Sequence, residues 1–284
     1  MTDAPPPSAG RLIMVGTPLG NRGDFSPRAR EAVLGADLLL CEDTRSPSRL
    51  LPDVTLPTRM SCFVGNEHER IEPLLAALGE GKTVVFISEA GMPGLSDPGR
   101  RLVGSALGGG YTVDVIPGPT AAATALCHTD FAADAVLFVG FIARSGPERA
   151  ALLRRVAGES ATTIFYEAGN RTPALIRDLA DACPDAAARR VAVARELTKL
   201  HQEVVQGALE DVRDRVTAAV RGEVTVVLEG VTDPEEREAR DVERARAVLD
   251  AMLDPDARPR ERAKRVAEAT GLDAREIYER LSRR

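Results

Sequence analysis

The sequence predicts an α/β protein built on two open sheets, and three observations predict it. Apolar runs of strand length alternate with stretches of helical period throughout residues 11–230. The early runs "RLIMVG", "DLLLCE", "KTVVFIS" and "YTVDVIP" are apolar enough to need helices over both sheet faces. The alternation then ends near residues 129–134 and a second series starts, which divides two α/β domains.

Along the chain, residues 1–10 ("MTDAPPPSAG") are a proline-rich acidic tail, expected to be disordered and unlike a signal peptide. A first domain over 11–130 begins with the strand "RLIMVG". "SPRAREAVLGA" follows as a helix, opened by Ser26-Pro27, with Ala29, Ala32, Val33 and Ala36 at helical spacing. "DLLLCE" and "RMSCFV" are the next strands, "ERIEPLLAALGEG" an amphipathic helix, "KTVVFIS" a strand, "GRRLVGSALGGG" a helix and "YTVDVIP" a fifth strand. "GPTAAATALCHTD" is a Gly-Pro turn into an alanine-rich helix.

The second domain, 131–232, carries five strands, "AVLFVGF", "ATTIFYE", "RRVAVAREL", "HQEVVQG" and "EVTVVLEG", with helices near 147–157, 172–182 and 208–219. Its last two strands are close in sequence, so some antiparallel pairing is expected. Residues 233–284 are a charged linker and a small helical region. One helix there carries Ala263, Val266 and Ala267, and another Ile277, Tyr278 and Leu281, across Thr270-Gly271-Leu272. Residues 258–284 hold nine basic and five acidic side chains, which suits either an RNA contact or a helical hairpin packed on the body.

Composition narrows the function. No run approaches the ~18 apolar residues of a membrane span, so a cytoplasmic protein without membrane contact is expected. Cys41, Cys62, Cys127 and Cys183 are far apart, and His68, His128 and His201 are scattered, which disfavours a disulfide framework, a zinc site or a histidine triad. A net charge of −6 argues against indiscriminate nucleic-acid binding but leaves room for a local basic groove. With Lys82, Lys199 and Lys264 the only lysines, arginine supplies nearly all positive charge.

Four turns follow strands of the first domain directly: Gly16-Thr17-Pro18-Leu19-Gly20-Asn21, Glu42-Asp43-Thr44-Arg45, Ser88-Glu89-Ala90-Gly91-Met92-Pro93-Gly94 and Gly118-Pro119-Thr120. Ligands of open α/β sheets bind outside the carboxyl ends of the strands, so these turns are expected to converge on one crevice. None is a G-x-G-x-x-G fingerprint or a Walker A loop. The Glu42-Asp43 pair has three readings: a Mg²⁺ site, a general base, or helix capping. Thr44 could cap the next helix, and Arg45 offers a fork for phosphate or carboxylate.

The segments "VGTPLGN", "CEDTR", "SEAGMPGLSDPG", "IPGPTAA", "FYEAGNR" and "ARELTK", in this order, resemble the tetrapyrrole-methylase superfamily. Within it they are most similar to the bacterial 16S rRNA (cytidine) ribose 2'-O-methyltransferases. The resemblance covers about residues 11–230, and "RERAKRVAEATGLDAREIYERL" resembles that subfamily's C-terminal helical region. It implies a two-domain tetrapyrrole-methylase-like fold, a homodimer, and S-adenosylmethionine in a cleft between the domains. The implied cofactor residues are Pro18 and Leu19, then Glu89, Ala90, Gly91 and Pro93, then Pro119, Thr120 and Ala121. From the second domain it adds Tyr166 and Glu167, with Ala194, Arg195, Glu196 and Leu197.

The chain departs from the pattern at Glu89, usually aspartate, and at Met92, usually threonine. Asn170 stands where histidine is frequent, and Val64-Gly65 replace a histidine-rich stretch before Asn66-Glu67. The implied reaction places a ribose 2'-oxygen in line with an activated methyl group, so positioning supplies much of the rate. Glu42, Asp43 and Asn21 are the catalytic candidates, with Arg45 and Arg171 on RNA phosphate. The implied partner is 16S rRNA in the small ribosomal subunit. A methylase of a tetrapyrrole precursor and a non-catalytic ribosome-binding protein are the alternative readings.

Overall fold

The computed structural model describes residues 10–219, 222–231, 246–254, 257–270 and 273–282. They form two compact units. The first holds the described residues up to Thr124 together with Leu197–His201; the second holds those of Ala125–Glu196 and from Gln202 onward.

In the first unit, five parallel strands lie in the order β3-β2-β4-β1-β5: β1 Arg11–Val15, β2 Leu38–Cys41, β3 Arg59–Ser61, β4 Thr83–Ile87 and β5 Thr112–Ile116. Successive side chains leave a strand on opposite faces. Leu12 and Met14, Leu38 and Leu40, and Val84 and Phe86 therefore share one core with helices α3 (Ile71–Gly79) and α4 (Arg100–Gly108). Ile13 and Val15, Leu39 and Cys41, and Val85 and Ile87 pack on the other face against α1 (Pro27–Leu34). Both cores are apolar, and each fully buried Leu or Phe contributes about 2 kcal/mol. The Ser26 hydroxyl caps α1 by accepting from the Ala29 N–H at 3.1 Å, as the Ser-Pro start predicts.

Two local expectations are corrected. The strand expected over "RMSCFV" stops at Ser61. The Asn66 side chain accepts from the Phe63 N–H at 2.8 Å and folds the chain into a loop that leaves Phe63 and Val64 exposed. Thr44 caps no helix: α2 (Ser46–Leu50) starts after Arg45 without a side-chain cap.

Asn66-Glu67 is structural in this chain. The Glu67 carboxylate is buried and accepts from the backbone N–H groups of Gly99 (2.8 Å) and Arg101 (3.0 Å), tying the start of α4 to a distant loop. Glu67→Ala is expected to cost about 2 kcal/mol, the upper range for losing a cap, with Glu67→Gln recovering part. Chemical denaturation midpoints check it, and an unchanged midpoint refutes it.

The second unit orders its strands β6-β7-β10-β8-β9: β6 Val136–Phe141, β7 Thr162–Ala168, β8 Arg190–Arg195, β9 Glu203–Ala208 and β10 Glu223–Leu228. Only β6 and β7 are parallel. Antiparallel pairing is present, but β10 inserts between β7 and β8 rather than pairing with β9. One core joins Phe165, Val193 and Val226 to α6 (Pro147–Ala157), α7 (Thr172–Ala182) and α8 (Leu209–Arg215). Helix α5 (Ala121–Leu126) crosses the division between the units, a few residues before the boundary expected near 130.

A helix over 246–253 (α9), α10 (Pro259–Thr270) and α11 (Ala274–Ser282) make up the described C-terminal region. Ala263 and Val266 are buried as their spacing predicts, whereas Tyr278 is exposed. The expectations for the tail over 1–9, the linker over 232–245 and the Leu281 side chain lie outside the described residues. No helix among the described residues is long and apolar enough to cross a membrane.

Candidate active site

The four strand-end turns follow β1, β2, β4 and β5, which are neighbours in the first sheet. From β1 the chain proceeds past β4 to β2, and from β4 it proceeds past β1 to β5, so connections leave this central pair in opposite directions. That is the topological switch point at which open α/β sheets hold ligands.

The turns are bonded to one another. Thr17 and Gly91 exchange two backbone hydrogen bonds, at 2.9 and 3.1 Å, and the buried Thr17 hydroxyl donates to the Ser88 carbonyl at 3.3 Å. Gly91 has φ +83°, open to glycine at little cost. Gly16 and Gly118 approach so closely that a Cβ on Gly16 would lie 2.6 Å from the Gly118 Cα. The Gly118 N–H donates to Met92 Sδ at 3.1 Å, so the methionine that departs from the family pattern ties the β4 turn to the β5 turn. The Thr120 hydroxyl accepts from the Ala123 N–H at 3.1 Å, beside the start of α5.

Glu89 bridges the β4 and β2 turns. Its carboxylate accepts from the Asp43 N–H at 3.1 Å and the Ser46 hydroxyl at 2.7 Å, while the Glu89 N–H donates to Glu42 Oε1 at 2.9 Å. The extra methylene relative to aspartate supplies the reach toward the β2 turn.

Asp43 is enclosed by cations. It accepts from Arg45 Nε (2.9 Å), Arg45 Nη2 (2.7 Å) and Arg49 Nη2 (3.3 Å). The hydrogen bonds from Arg45 lower its pKa to about 2. Because this pKa is depressed, the ionised clamp is complete above the ordinary value of about 3.9 and is lost only as pH falls through about 2. The pH–rate profile is therefore expected to show no limb from Asp43 between pH 5 and 9. A limb in that range that vanishes in Asp43→Asn would refute this. The neighbouring thiols of Cys41 and Cys62 are pushed up to about 12 by burial and supply no nucleophile.

The first unit thus holds Asn21, Glu42, Asp43, Arg45, Pro18, Leu19, Glu89, Ala90, Gly91, Pro93, Pro119, Thr120, Ala121 and also Leu197. The Asn21 amide oxygen accepts from the Gly23 N–H at 3.0 Å, and its backbone N–H donates to the Thr198 hydroxyl at 3.2 Å. Glu196 and Thr198 have φ of +50° and +66°, an unusual conformation for residues with a Cβ.

Tyr166, Glu167, Ala194, Arg195 and Glu196 belong to the second unit. Tyr166 and Glu167 are successive residues of β7 and leave it on opposite faces. The Tyr166 ring meets Phe138 and Phe141 edge-on, at centroid distances of 5.0 and 5.6 Å. Glu167 is fully buried, paired with Arg171 and 4.0 Å from Arg149. Arg171, expected on RNA phosphate, pairs with this buried carboxylate and keeps part of its side chain exposed. Ser46, Arg49 and Arg59 sit at the β2 turn without having been picked out in the sequence. Only their closeness to "CEDTR" could have signalled the first two, and nothing local signals Arg59.

The profile of the Tetrapyrrole (Corrin/Porphyrin) Methylases matches residues 11–213. The chain belongs to the tetrapyrrole methylase family. "Ribosomal RNA small subunit methyltransferase I" of Mycobacterium bovis is 40% identical over 226 residues, 78% of this chain and 79% of the relative. The protein of the same name from Synechocystis is 36% identical over 272 residues, 95% and 96% of the two chains. Among solved structures, the methyltransferase CobJ has a TM-score of 0.61 at 19% identity, with 79% of this methylase and 95% of that chain covered. A Thermus thermophilus uroporphyrin-III C-methyltransferase complexed with S-adenyl homocysteine has a TM-score of 0.57 at 20% identity, covering 78% and 97%. Both confirm the tetrapyrrole-methylase fold.

Proposed function

We propose that this methylase uses S-adenosylmethionine to methylate the ribose 2'-oxygen of a cytidine in the decoding centre of 16S rRNA, as a cytoplasmic homodimer acting on the small ribosomal subunit. One observation carries the reading. Glu89 joins the turn assigned to the cofactor with the "CEDTR" turn assigned to substrate, in one strand-end cluster. The relatives named for small-subunit ribosomal RNA support the choice of RNA over a tetrapyrrole precursor.

The strand-end backbone fits the cofactor. Gly16 and Gly118 let the β1 and β5 turns close on each other, Gly91 supplies the positive φ of the β4 turn, and Pro18, Leu19, Pro93 and Pro119 are the apolar residues of these turns. When bound, the cofactor supplies an activated methyl group, so this chain's residues have mainly to orient a hydroxyl and receive its proton. Glu42 is the proton acceptor in this reading. Asp43 is too acidic a partner to take a proton near neutrality, and the Asn21 amide oxygen is engaged by Gly23. Asp43 instead holds Arg45 and Arg49 at the substrate turn.

The test is methyl transfer to small subunits lacking the modification, with the methylated ribose mapped. Ribose methylation at one cytidine is expected, and Glu42→Gln should lower kcat while leaving cofactor affinity near wild type. Transfer to a tetrapyrrole precursor but not to subunits would replace the reading.

A further inference from the structure

Beside the β2 turn lies an open groove of about 610 Å³ lined by Thr44, Arg45, Ser48, Pro57, Thr58 and Arg59. Its volume falls within the ~300–1,000 Å³ of ligand sites, but its lining is hydroxylic and cationic rather than apolar. Arg59 projects from the edge strand β3 and is fixed: its Nη1 donates to the Thr44 carbonyl at 3.0 Å and the Ser48 hydroxyl at 2.7 Å. Both acceptors are uncharged, and among the described residues no carboxylate lies within ion-pair distance of Arg59. Its planar fork is thus held in place with its charge uncompensated, the preorganisation that suits a phosphate.

The neighbouring acids do not cancel this charge. Asp43 is shared between Arg45 and Arg49, and the Glu89 carboxylate is turned to Ser46 and the Asp43 N–H. Arg45 and Arg49 thus share Asp43, while Arg59 is held by uncharged acceptors alone, on a protein whose net charge is −6. The Arg45 and Arg49 side chains remain 80% and 67% exposed, open to a strand laid across them.

We propose that this groove seats a backbone phosphate of the RNA strand flanking the target nucleotide, with Arg59 as the fixed donor and Ser48 and Thr58 as hydroxyl partners. It rests on the RNA reading above and adds a site to it. Phosphate contacts position the strand and carry no sequence information, so the groove sets register at the β2 turn and leaves base choice to other residues.

The test compares wild type, Arg59→Gln, Arg59→Lys and Ser48→Glu in association with unmodified small subunits over a salt series, with cofactor affinity measured on the same samples. Arg59→Gln is expected to weaken association about tenfold and to flatten the logarithmic salt slope by about 1, one phosphate contact. Arg59→Lys should recover part of the loss. Ser48→Glu keeps Arg59 but places an anion in the groove, and should weaken association at least as much with cofactor affinity within about twofold. Wild-type association and slope in both Arg59→Gln and Ser48→Glu overturn the groove while leaving the methylation reading intact. If wild type neither binds nor methylates subunits, the methylation reading falls. The same variants on single-stranded polyuridylate then decide the groove: a flattened slope supports it and an unchanged slope overturns it.

Discussion

Gly16→Ala is expected to destabilise the first unit by about 2–3 kcal/mol, the range for overpacking a site that cannot relax, and to weaken S-adenosylmethionine binding more than tenfold. The added Cβ would lie 2.6 Å from both the Cα and the N of Gly118 and 2.7 Å from Met92 Sδ. Two of these three atoms are backbone. The Gly118 loop cannot swing clear, because the Gly16 N–H donates to the Ile116 carbonyl at 3.0 Å and β1 and β5 stay in register up to Val15 and Ile116. Thermal melts and calorimetry measure both effects. Gly104→Ala in α4 is the control: nothing lies within 4 Å of its added Cβ, so about 0.5–1 kcal/mol of stabilisation is expected from helix propensity. A Gly16→Ala protein with the wild-type melting point and cofactor affinity would show that the four turns are not a rigid cluster.

Arg171→Ala is expected to cost about 3 kcal/mol in the second unit. It removes the close partner of the fully buried Glu167 and leaves Arg149, at 4.0 Å, as the remaining cation. A buried carboxylate stripped of its ion pair is among the few single changes with effects this large. Adding Glu167→Gln removes the stranded charge and should recover more than half of the loss, a coupling that a double-mutant cycle reads directly. A stable Arg171→Ala protein with weakened subunit binding would instead return Arg171 to an RNA-binding role.

The fold was legible because burial on both faces leaves a plain mark. Leu38-Leu39-Leu40-Cys41 and Val84-Val85-Phe86-Ile87 are apolar at every position, since odd and even residues face different cores. Helices with a Pro near their start, such as Pro147–Ala157 and Thr172–Ala182, match the expected spans of 147–157 and 172–182. Where one side chain redirects the backbone, the pattern misleads. "RMSCFV" is strand-like throughout, yet Asn66 bends it after Ser61.

The site was half legible. Position at the carboxyl ends of parallel strands marked the four turns, but not which atoms hold them together. Whether a carboxylate such as Asp43 serves as a base or as an anchor depends on Arg45 and Arg49, and their side-chain directions are not written in local spacing. Tyr166 and Glu167 are adjacent in sequence and separated by the strand itself. Arg59 lies 15 residues from Thr44 and meets it only because β3 is parallel to β2.

Leu197–His201, counted with the first unit, bears on how the protein is made. At about 5–20 residues per second, an emerging chain has every strand of the first sheet long before this segment leaves the ribosome. Until then the Asn21 N–H has no Thr198 hydroxyl to meet, and Gly20 lacks the Lys199 side chain that covers it. A fragment ending at Thr124 would contain the whole parallel sheet yet lack its last piece, and adding a synthetic peptide spanning 195–203 in trans should raise its protection from protease.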